Sequence, residues 1–200
     1  MDTKRSVFST FGQQVTILLG LVGLLWAIEI ADWLLFANRL PQAFGIRPWY
    51  IPGLWGIATA PFLHGDFAHL IANTLPLLTL GWLVMLRGRG EWISVSVITA
   101  LCSGVGTWLF GGVGSTHIGA SGVIFGYFGF LLLRGYFERS LTAIAFSILV
   151  FFLYGSIIFG ILPTAQMISW QGHLFGFLGG VLSARLLARP RREYKDNYDL

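Results

Sequence analysis

The chain has 200 residues, of which 55% are hydrophobic and 11% are charged, and its formal net charge is +4. Its mean hydropathy of +0.72 excludes an ordinary soluble domain, in which apolar and charged residues are more evenly balanced. We attribute the basic excess to membrane orientation and contact with anionic lipid, and therefore expect no nucleic acid as a partner.

Six apolar segments follow one another along the chain, and most approach the ~20 residues that a helix needs to cross ~30 Å of hydrocarbon. They cover residues 15–37, 67–86, 92–110, 118–133, 141–161 and 168–188. Membrane-spanning β-strands would be about ten residues long and would alternate in polarity, so helices are expected instead. The sequence predicts an all-α, polytopic membrane protein with six transmembrane helices and no second domain.

Lysine and arginine are concentrated on one side of this predicted bundle. Of the 13 basic residues, 11 flank span ends on that side, and only Arg39 and Arg47 lie on the other. The positive-inside rule makes the first side cytoplasmic, with both termini inside the cell. We expect residues 1–14 to form a cytoplasmic N-terminus, residues 15–189 the six-helix domain, and residues 190–200 a cytoplasmic tail.

The first segment lacks the small-residue cleavage site of a signal peptide. We therefore expect a multi-pass protein of the plasma membrane, specifically of a bacterial inner membrane. Between the first two spans, residues 38–66 form a long outer connection that contains four prolines, Trp49, Tyr50 and Trp55. Proline interrupts regular helices and aromatic rings favour the headgroup level, so we expect a loop lying partly in the outer leaflet. Glu29 and Asp32 are expected at the interface near the end of the first span.

Four polar residues from three different spans fall at one predicted depth. His69 and Asn73 lie near the start of the second span, Ser121 is the fourth residue of the fourth, and His173 is the sixth residue of the last. Because these spans all begin at the outer face, the four side chains are expected roughly 5–10 Å below it. Polar groups in a bilayer are costly and tend to be functional, and a serine that meets a histidine can act as a nucleophile.

Spacing within the helices supports such a meeting. His69 and Asn73 are four residues apart and share one helix face, as do Ser121 and Phe125. Glycine rows in the fourth and sixth spans, the latter including Gly176 and Gly180, would let the two helices approach closely enough for His173 to reach Ser121.

Each polar residue also has a plainer interpretation. A helical serine commonly bonds a carbonyl one turn back, and a lone histidine or asparagine commonly joins two helices. His64 and His69 are possible metal ligands, but their spacing of five splits them across helix faces and no carboxylate of that span joins them, so we expect no metal. His117, in the loop before Ser121, is the second choice of catalytic base.

Three motifs in order resemble those of the rhomboid intramembrane serine proteases. The stretch from Phe62 ends in the His-x-x-x-Asn pattern of His69 and Asn73, Gly119–Gly122 resembles the Gly-x-Ser-Gly nucleophile motif, and the residues from His173 resemble the sixth helix of the family. The order of the motifs, the number of spans and the cytoplasmic termini agree with the family. The resemblance covers about residues 16–189.

This resemblance implies a mechanism. Ser121 would attack the scissile carbonyl with His173 as general base and acid, without a third residue, while the Ser121 N–H, His69 and Asn73 would hold the oxyanion. His64 would lend polar support, the Leu162–Met167 loop would cover the site, and the fifth span would form a side gate. Substrates would be single-span membrane proteins cut near the outer face, with no cofactor and no obligatory partner subunit.

Two positions depart from the family pattern. Phe125 stands where many members have tyrosine, which keeps a ring to stack on His173 but loses the hydroxyl and is expected to loosen the imidazole. The outer loop has Trp55 followed by Gly56 where many members carry Trp-Arg. Two other classes of function stay open: a rhomboid-like protein that binds and escorts membrane clients, and a small transporter or channel using the same polar cluster.

Overall fold

The computed structural model describes residues 3–163 and 169–188, with side chains from residue 11 onward. The predicted C-terminal tail, most of the loop predicted to cover the site, and the predicted start of the last span lie outside these residues. In chain order the α-helices are α1 (Thr3–Leu35), α2 (Leu40–Phe44), α3 (Gly56–Thr59), α4 (Phe67–Met85), α5 (Arg89–Phe110), α6 (Ser121–Glu138), α7 (Leu141–Tyr154) and α8 (Trp170–Leu186). The described part of the chain is all-helical apart from one β-bridge, between Ile46 and His117.

Four stretches of the described residues are long and apolar enough to cross a membrane. They are Phe11–Leu35 of α1, Phe67–Met85, Arg89–Phe110 and Leu141–Ile161, the last being α7 with its continuation. Helices α6 and α8, which correspond to the fourth and sixth predicted spans, are not in this set: α8 has 17 described residues, and α6 contains Arg134 and Glu138 near its end. Length and composition alone therefore identify four spans.

The prediction of a helix from residue 118 is wrong at its start. Helix α6 begins at Ser121, so Ser121 is its first residue and not its fourth. Gly119 has a φ of +109°, which an α-helix cannot contain, and its N–H donates to the Ala60 carbonyl at 2.9 Å. The fifth predicted span is α-helical only to Tyr154, and Gly155–Ile161 continues it as a 3-10 helix.

The outer connection contains short helices where the sequence predicted an irregular loop. Between α2 and α3 lies a 3-10 turn at Ile51–Trp55, and a second follows at Ala60–Phe62. Pro41, Pro52 and Pro61 each stand in the first turn of one of these pieces. Proline disrupts a helix interior but is favoured in the first turn, where its missing N–H has no helical partner, so the prolines start helices here.

Glu29 and Asp32 are buried inside the protein, with 3% and 2% of their surface exposed, and do not lie on its surface. The Asp32 carboxylate accepts a hydrogen bond from the Leu40 N–H at 3.1 Å, which ties the end of α1 to the start of α2. The chain turns back over the end of α1 at this point, and that turn covers the carboxylate.

Helix α6 occupies the centre of the protein. Eleven of its 18 residues are buried, and Tyr127, Phe128 and Phe130 are among the most enclosed large side chains of the described residues. Helices α4, α5, α7 and α8 all pack against it. A residue at the first position of α6 is therefore surrounded by the N-terminal ends of α4 and α8.

Close approach of α6 and α8 depends on two glycines of α8. A Cβ at Gly176 would overlap the Gly122 carbonyl, and a Cβ at Gly180 would overlap that of Gly126. The two backbones are thus in direct contact, as small residues permit in membrane helices. This contact sets the distance between Ser121 at the start of α6 and His173 on α8.

The opposite end of the bundle is joined by ion pairs. Glu138, 3% exposed, accepts a hydrogen bond from Arg87 at 3.0 Å and forms an ion pair with Arg134 at 3.1 Å, and Arg87 also lies 3.5 Å from Glu91. These contacts connect the α4–α5 turn with the end of α6, so the helix that starts at Ser121 is fixed at its far end as well.

Candidate active site

Ser121 and His173 form a hydrogen bond, with 2.8 Å between Ser121 Oγ and His173 Nε2. They come from α6 and α8, whose backbones are held together nearby by the contact between Gly122 and Gly176. Histidine 173 is 9% exposed, so the pair lies at the edge of the protein interior. The structure thus brings together the two residues that the sequence placed at one depth on different spans.

The other ring nitrogen of His173 fixes the direction of this bond. His173 Nδ1 lies 2.9 Å from the Gly160 carbonyl oxygen, in the 3-10 segment that follows α7. A carbonyl can only accept, so Nδ1 carries the proton and the neutral ring offers Nε2 as an acceptor to the Ser121 hydroxyl. This is the arrangement in which a histidine can take a proton from a serine.

Phe125 stacks on the imidazole of His173. The ring centroids are 4.1 Å apart and the ring planes differ by 9°. Phe125 lies four residues after Ser121 on the same face of α6, so one helix supplies both the hydroxyl and the surface on which the histidine ring rests. The stack and the hydrogen bond to the Gly160 carbonyl are two contacts that fix the position of the His173 ring. Phe125 provides this stacking surface without the hydroxyl that a tyrosine would add.

Gly119 allows the loop before α6 to pass close to α4. Its φ of +109° is strained for any residue with a side chain, and a Cβ there would lie 2.7 Å from His69 Cε1 and 2.8 Å from His69 Nε2. Ala120, at the N-cap of α6, has only a methyl side chain, which cannot accept a hydrogen bond from the first N–H groups. The N–H groups at the start of α6 are therefore free of intrahelical partners, at the positive end of the helix dipole.

His69 and Asn73 lie on α4 beside this loop. Asp66 caps α4 by accepting the His69 N–H at 2.7 Å, which fixes where the helix begins and hence where both side chains project. Asn73 is 6% exposed and its Nδ2 has no hydrogen-bond acceptor within the described residues. A buried amide donor of this kind, 3.7 Å from where a Gly119 Cβ would stand, can donate to an anion at the mouth of the site.

His64 packs against His69. Its ring meets that of His69 edge to face, with 5.1 Å between centroids, and only 1% of its surface is exposed. Burial, assisted by the neighbouring His69 charge and opposed by Asp66, lowers the pKa of His64 to about 4. Within the described residues, no three His, Cys, Asp or Glu side chains come together in a group that could hold a metal ion.

His117, the second choice of base, is engaged elsewhere. Its Nδ1 lies 2.7 Å from Ser169 Oγ and its Nε2 2.7 Å from Ser115 Oγ, while its backbone forms the bridge with Ile46. Burial lowers the pKa of His117. These contacts give His117 a structural place in the loop between α5 and α6, and His173 is the histidine that contacts Ser121.

Two residues that contribute to the site were not identified from the sequence. Gly160 acts through its backbone carbonyl, which no side-chain pattern reveals. Asp66 could have been identified from the sequence, because an aspartate just before an apolar helical segment is a standard N-cap signal. Both residues act on the orientation of the site's side chains.

A family model described as the Rhomboid domain matches residues 52–190. That range contains every residue of the site, from the outer loop to α8. It begins after α1 and includes α4 to α8 in full.

Several proteins are similar to the chain over most of its length. The uncharacterized protein Rv1337 of Mycobacterium tuberculosis is 44% identical over 199 residues, which cover 96% of this chain and 81% of that protein. The uncharacterized protein ML1171 of Mycobacterium leprae is 41% identical over 184 residues, covering 88% and 72%. The rhomboid protease GluP of Bacillus subtilis is 31% identical over 140 residues, covering 68% of this chain and 27% of that protein.

Proposed function

The chain belongs to the rhomboid family, as its motifs indicated, and on that premise we propose that it is an intramembrane serine endopeptidase with a Ser121–His173 dyad. The observation that carries the proposal is the 2.8 Å hydrogen bond between Ser121 Oγ and His173 Nε2, with the protonated Nδ1 held by the Gly160 carbonyl. Family membership supports the reaction class, and the hydrogen bond supports Ser121 as the nucleophile and His173 as the base.

The first half of the reaction forms an acyl-enzyme. His173 Nε2 takes the hydroxyl proton as Ser121 Oγ bonds to the carbonyl carbon of the scissile peptide. The tetrahedral intermediate collapses, the C–N bond breaks, and the same proton passes from Nε2 to the leaving amine. In the second half, water gives its proton to Nε2 and its oxygen to the acyl carbon, and Ser121 Oγ leaves with that proton.

The oxyanion of both intermediates would be stabilised by donors from α4 and α6. Within the described part of the chain, the Ser121 N–H has no backbone acceptor at the start of α6, and Asn73 Nδ2 is buried without an acceptor. His69 borders the same loop through its contact with Gly119. Each donor of this kind contributes about 2.7–4 kcal/mol to transition-state stabilisation.

His173 has no carboxylate partner in this proposal. The Gly160 carbonyl and the Phe125 ring hold the imidazole in the required tautomer and plane. A carbonyl stabilises an imidazolium less than a carboxylate does, because it carries only a partial charge. The dyad therefore depends more heavily on its oxyanion donors than a triad would.

We also propose that α6 and α8 cross the membrane, which gives six spans with both termini in the cytoplasm. The distribution of basic residues supports this topology, and burial explains why α6 and α8 need fewer apolar residues than a lipid-exposed span. The active site would then lie near the outer face of a bacterial plasma membrane, in a domain of residues 15–189.

Single-span membrane proteins are the proposed substrates, cut near the outer face. Such a helix must unwind before its backbone reaches Ser121, which residues of low helix propensity in the substrate make easier. The segment Leu141–Ile161 is the proposed side gate, because only 6% of its most apolar 18-residue stretch is buried against the rest of the protein. Because Gly160 belongs to this segment, opening the gate would also affect the contact that orients His173.

The proposal is tested by cleavage of a single-span substrate in liposomes containing the purified protein. We expect Ser121→Ala to abolish cleavage, and EDTA to have no effect on the wild type. The matched control is Ser94→Ala, which removes a hydroxyl whose one hydrogen bond among the described residues is to the Gly90 carbonyl of its own helix. Cleavage that persists in Ser121→Ala would contradict the assignment of the nucleophile. Substrate binding without cleavage by the wild type would instead favour the escort function.

A further inference from the structure

A second serine–histidine pair accompanies the proposed dyad. His117 Nδ1 lies 2.7 Å from Ser169 Oγ, and each residue stands four positions before a member of the dyad, His117 before Ser121 and Ser169 before His173. The two hydrogen bonds each span 52 residues of the chain, with serine and histidine exchanged between the two segments. In the described part of the chain, these are the two side-chain hydrogen bonds that join residues 115–138 to the start of α8.

The direction of each hydrogen bond around His117 follows from a backbone carbonyl. The Ser115 hydroxyl donates to the Gly112 carbonyl oxygen, which can only accept. Because that hydroxyl has one proton, Ser115 Oγ accepts from His117 Nε2, which lies 2.7 Å away and therefore carries the ring proton. Nδ1 of the neutral ring is then an acceptor, so the Ser169 hydroxyl donates to it. Burial lowers the pKa of His117, which favours this neutral form.

The hydroxyl of Ser169 is bound to His117 and does not cap its own helix. Ser169 stands at the N-cap of α8, where a serine normally accepts a hydrogen bond from an N–H of the first turn, but its side chain forms no such bond here. The Ser169 carbonyl accepts the His173 N–H at 3.1 Å, so Ser169 begins the turn on which His173 stands. A displacement of Ser169 would therefore move His173 relative to Ser121.

The two ends of this contact are otherwise held by different parts of the protein. On one side, the backbone of His117 exchanges two hydrogen bonds of 2.9 Å with Ile46 of the outer loop. On the other side, Ser103 of α5 donates to the Gly172 carbonyl of α8 at 2.9 Å. Substitution of the His117 side chain leaves both of these attachments in place, so we expect such variants to fold with the two segments free to shift relative to each other.

We propose that His117 is a positioning residue for the Ser121–His173 pair and acts through its hydrogen bond with Ser169. The neutral ring accepts the Ser169 hydroxyl and so holds the first turn of α8 at the distance from the α5–α6 loop at which His173 Nε2 meets Ser121 Oγ. The inference rests on the proposed proteolytic function for its kinetic consequences, whereas the contact itself is testable without cleavage.

The kinetic test compares four variants in the liposome cleavage assay. We expect His117→Leu and Ser169→Ala each to lower kcat about ten-fold with KM unchanged, because displacement of His173 from Ser121 impairs the chemical step and not substrate binding. The double variant should lose no more than the more impaired single variant, since both changes remove the same hydrogen bond. His117→Asn, whose amide oxygen can accept in place of Nδ1, should recover at least about a third of the wild-type kcat.

Ser115→Ala is the matched control. It removes a hydroxyl from the other nitrogen of the same ring, also at 2.7 Å, at a half-buried position where water can take its place. We expect it to change kcat less than about three-fold, because it leaves the bond to Ser169 intact. Equal losses of kcat in Ser115→Ala and Ser169→Ala would show that the ring only stabilises the loop and would overturn the proposal. Additive losses in the double variant would overturn it as well.

Nitrogen-15 NMR of the four labelled histidines, in detergent at neutral pH, tests the contact independently of cleavage. We expect the ring proton of His117 on Nε2 and that of His173 on Nδ1. Ser169→Ala should shift the signals of His117 Nδ1 and His173 Nε2, whereas Ser115→Ala should leave the His173 signals unchanged. A wild type with these signals that cleaves no substrate would contradict the proposed function and support the positioning contact. A His173 Nε2 signal that Ser169→Ala does not shift would overturn the positioning role even in an active protease.

Discussion

Helices α6 and α7 are neighbours in sequence and in space, and the more apolar of the two is the less buried. The segment that starts with α7 has a mean hydropathy of 2.4, the highest of the four apolar stretches among the described residues, yet only Ala143 and Val150 are buried within α7. In α6, 11 of 18 residues are buried, four of them glycines. In a bilayer the solvent is itself apolar, so apolar side chains gain little by facing the protein interior.

The comparison separates two ways of holding a helix. Contact of α6 with α8 is made by backbone against backbone, with the Gly122 carbonyl against Gly176, and leaves no free space. Helix α7 contacts its neighbours through a small number of hydrogen bonds. Two of them join Tyr154 to Thr79 and Ser147 to the Leu131 carbonyl. We therefore expect substitutions in the α6–α8 contact to be severe and those on α7 to be mild.

The largest effect is expected for Gly176→Ala, which puts a methyl group into the Gly122 carbonyl and forces α6 away from α8. Unfolding stability should fall by about 3 kcal/mol, the upper part of the usual range for overpacking, and cleavage should fall at least 100-fold as His173 moves from Ser121. Thermal unfolding in detergent and the liposome cleavage assay measure the two losses.

The matched control is Gly20→Ala on α1, where nothing lies within 4 Å of the added Cβ. That variant should be as stable as the wild type or slightly more so, because alanine favours a helix. Equal behaviour of the two variants would show that the α6–α8 contact is looser than described.

A smaller effect on stability, with a comparable loss of activity, is expected for Gly119→Ala, which tests the loop and not the helix contact. The methyl group would meet His69 and would require the strained φ of +109°. Displacing the oxyanion donors should lower kcat by 10²–10³, as loss of one donor typically does. Binding of substrate by the inactive Ser121→Ala background, measured with and without Gly119→Ala, should stay the same. A rise in KM with unchanged kcat would argue against an oxyanion role for this loop.

The same change made on both helices gives the sharpest comparison. Phe125→Ala removes a 6%-exposed ring stacked on His173 and should cost about 3 kcal/mol of stability and roughly ten-fold in kcat. Phe152→Ala removes an 80%-exposed ring from α7 and should change stability by less than about 0.5 kcal/mol. Phe125→Tyr should keep the stack and most of the activity. Similar losses for both alanine variants would mean that α7 is packed as tightly as α6.

The smallest effect is a dependence of stability on pH. Because burial lowers the pKa of His64 to about 4, the folded protein resists a proton that the unfolded chain accepts near pH 6.5. The stability due to neutral His64 is therefore full above pH 6.5 and is lost as the pH falls toward 4, by about 2 kcal/mol at pH 5. The melting temperature of the wild type should therefore fall toward that of His64→Leu between pH 7 and pH 5. If the melting temperatures of the two proteins fell in parallel over this range, the lowered pKa of His64 would be contradicted.

Much of the site could be predicted from the sequence because its side chains follow helical spacing. His69 with Asn73, and Ser121 with Phe125, are pairs four residues apart, and any helix places such pairs on one face. The start of α6 was predicted three residues too early, because hydropathy does not register the φ of Gly119. The orientation of His173 could not be predicted, since it depends on the Gly160 carbonyl from a segment 13 residues away.

The sequence by itself determined the membrane environment, the helical fold class, the family, and the residues that carry the motifs. The environment and fold class follow from composition and local periodicity, which act over one or a few helical turns, and the family follows from the resemblance of the three motifs. Tertiary structure alone decided that His173 and not His117 contacts Ser121, that Asn73 Nδ2 has no acceptor among the described residues, and that the loop between α1 and α4 covers an apolar cleft. Each of these depends on how far apart two helices or loops lie, and that distance is set by side-chain packing between segments remote in sequence.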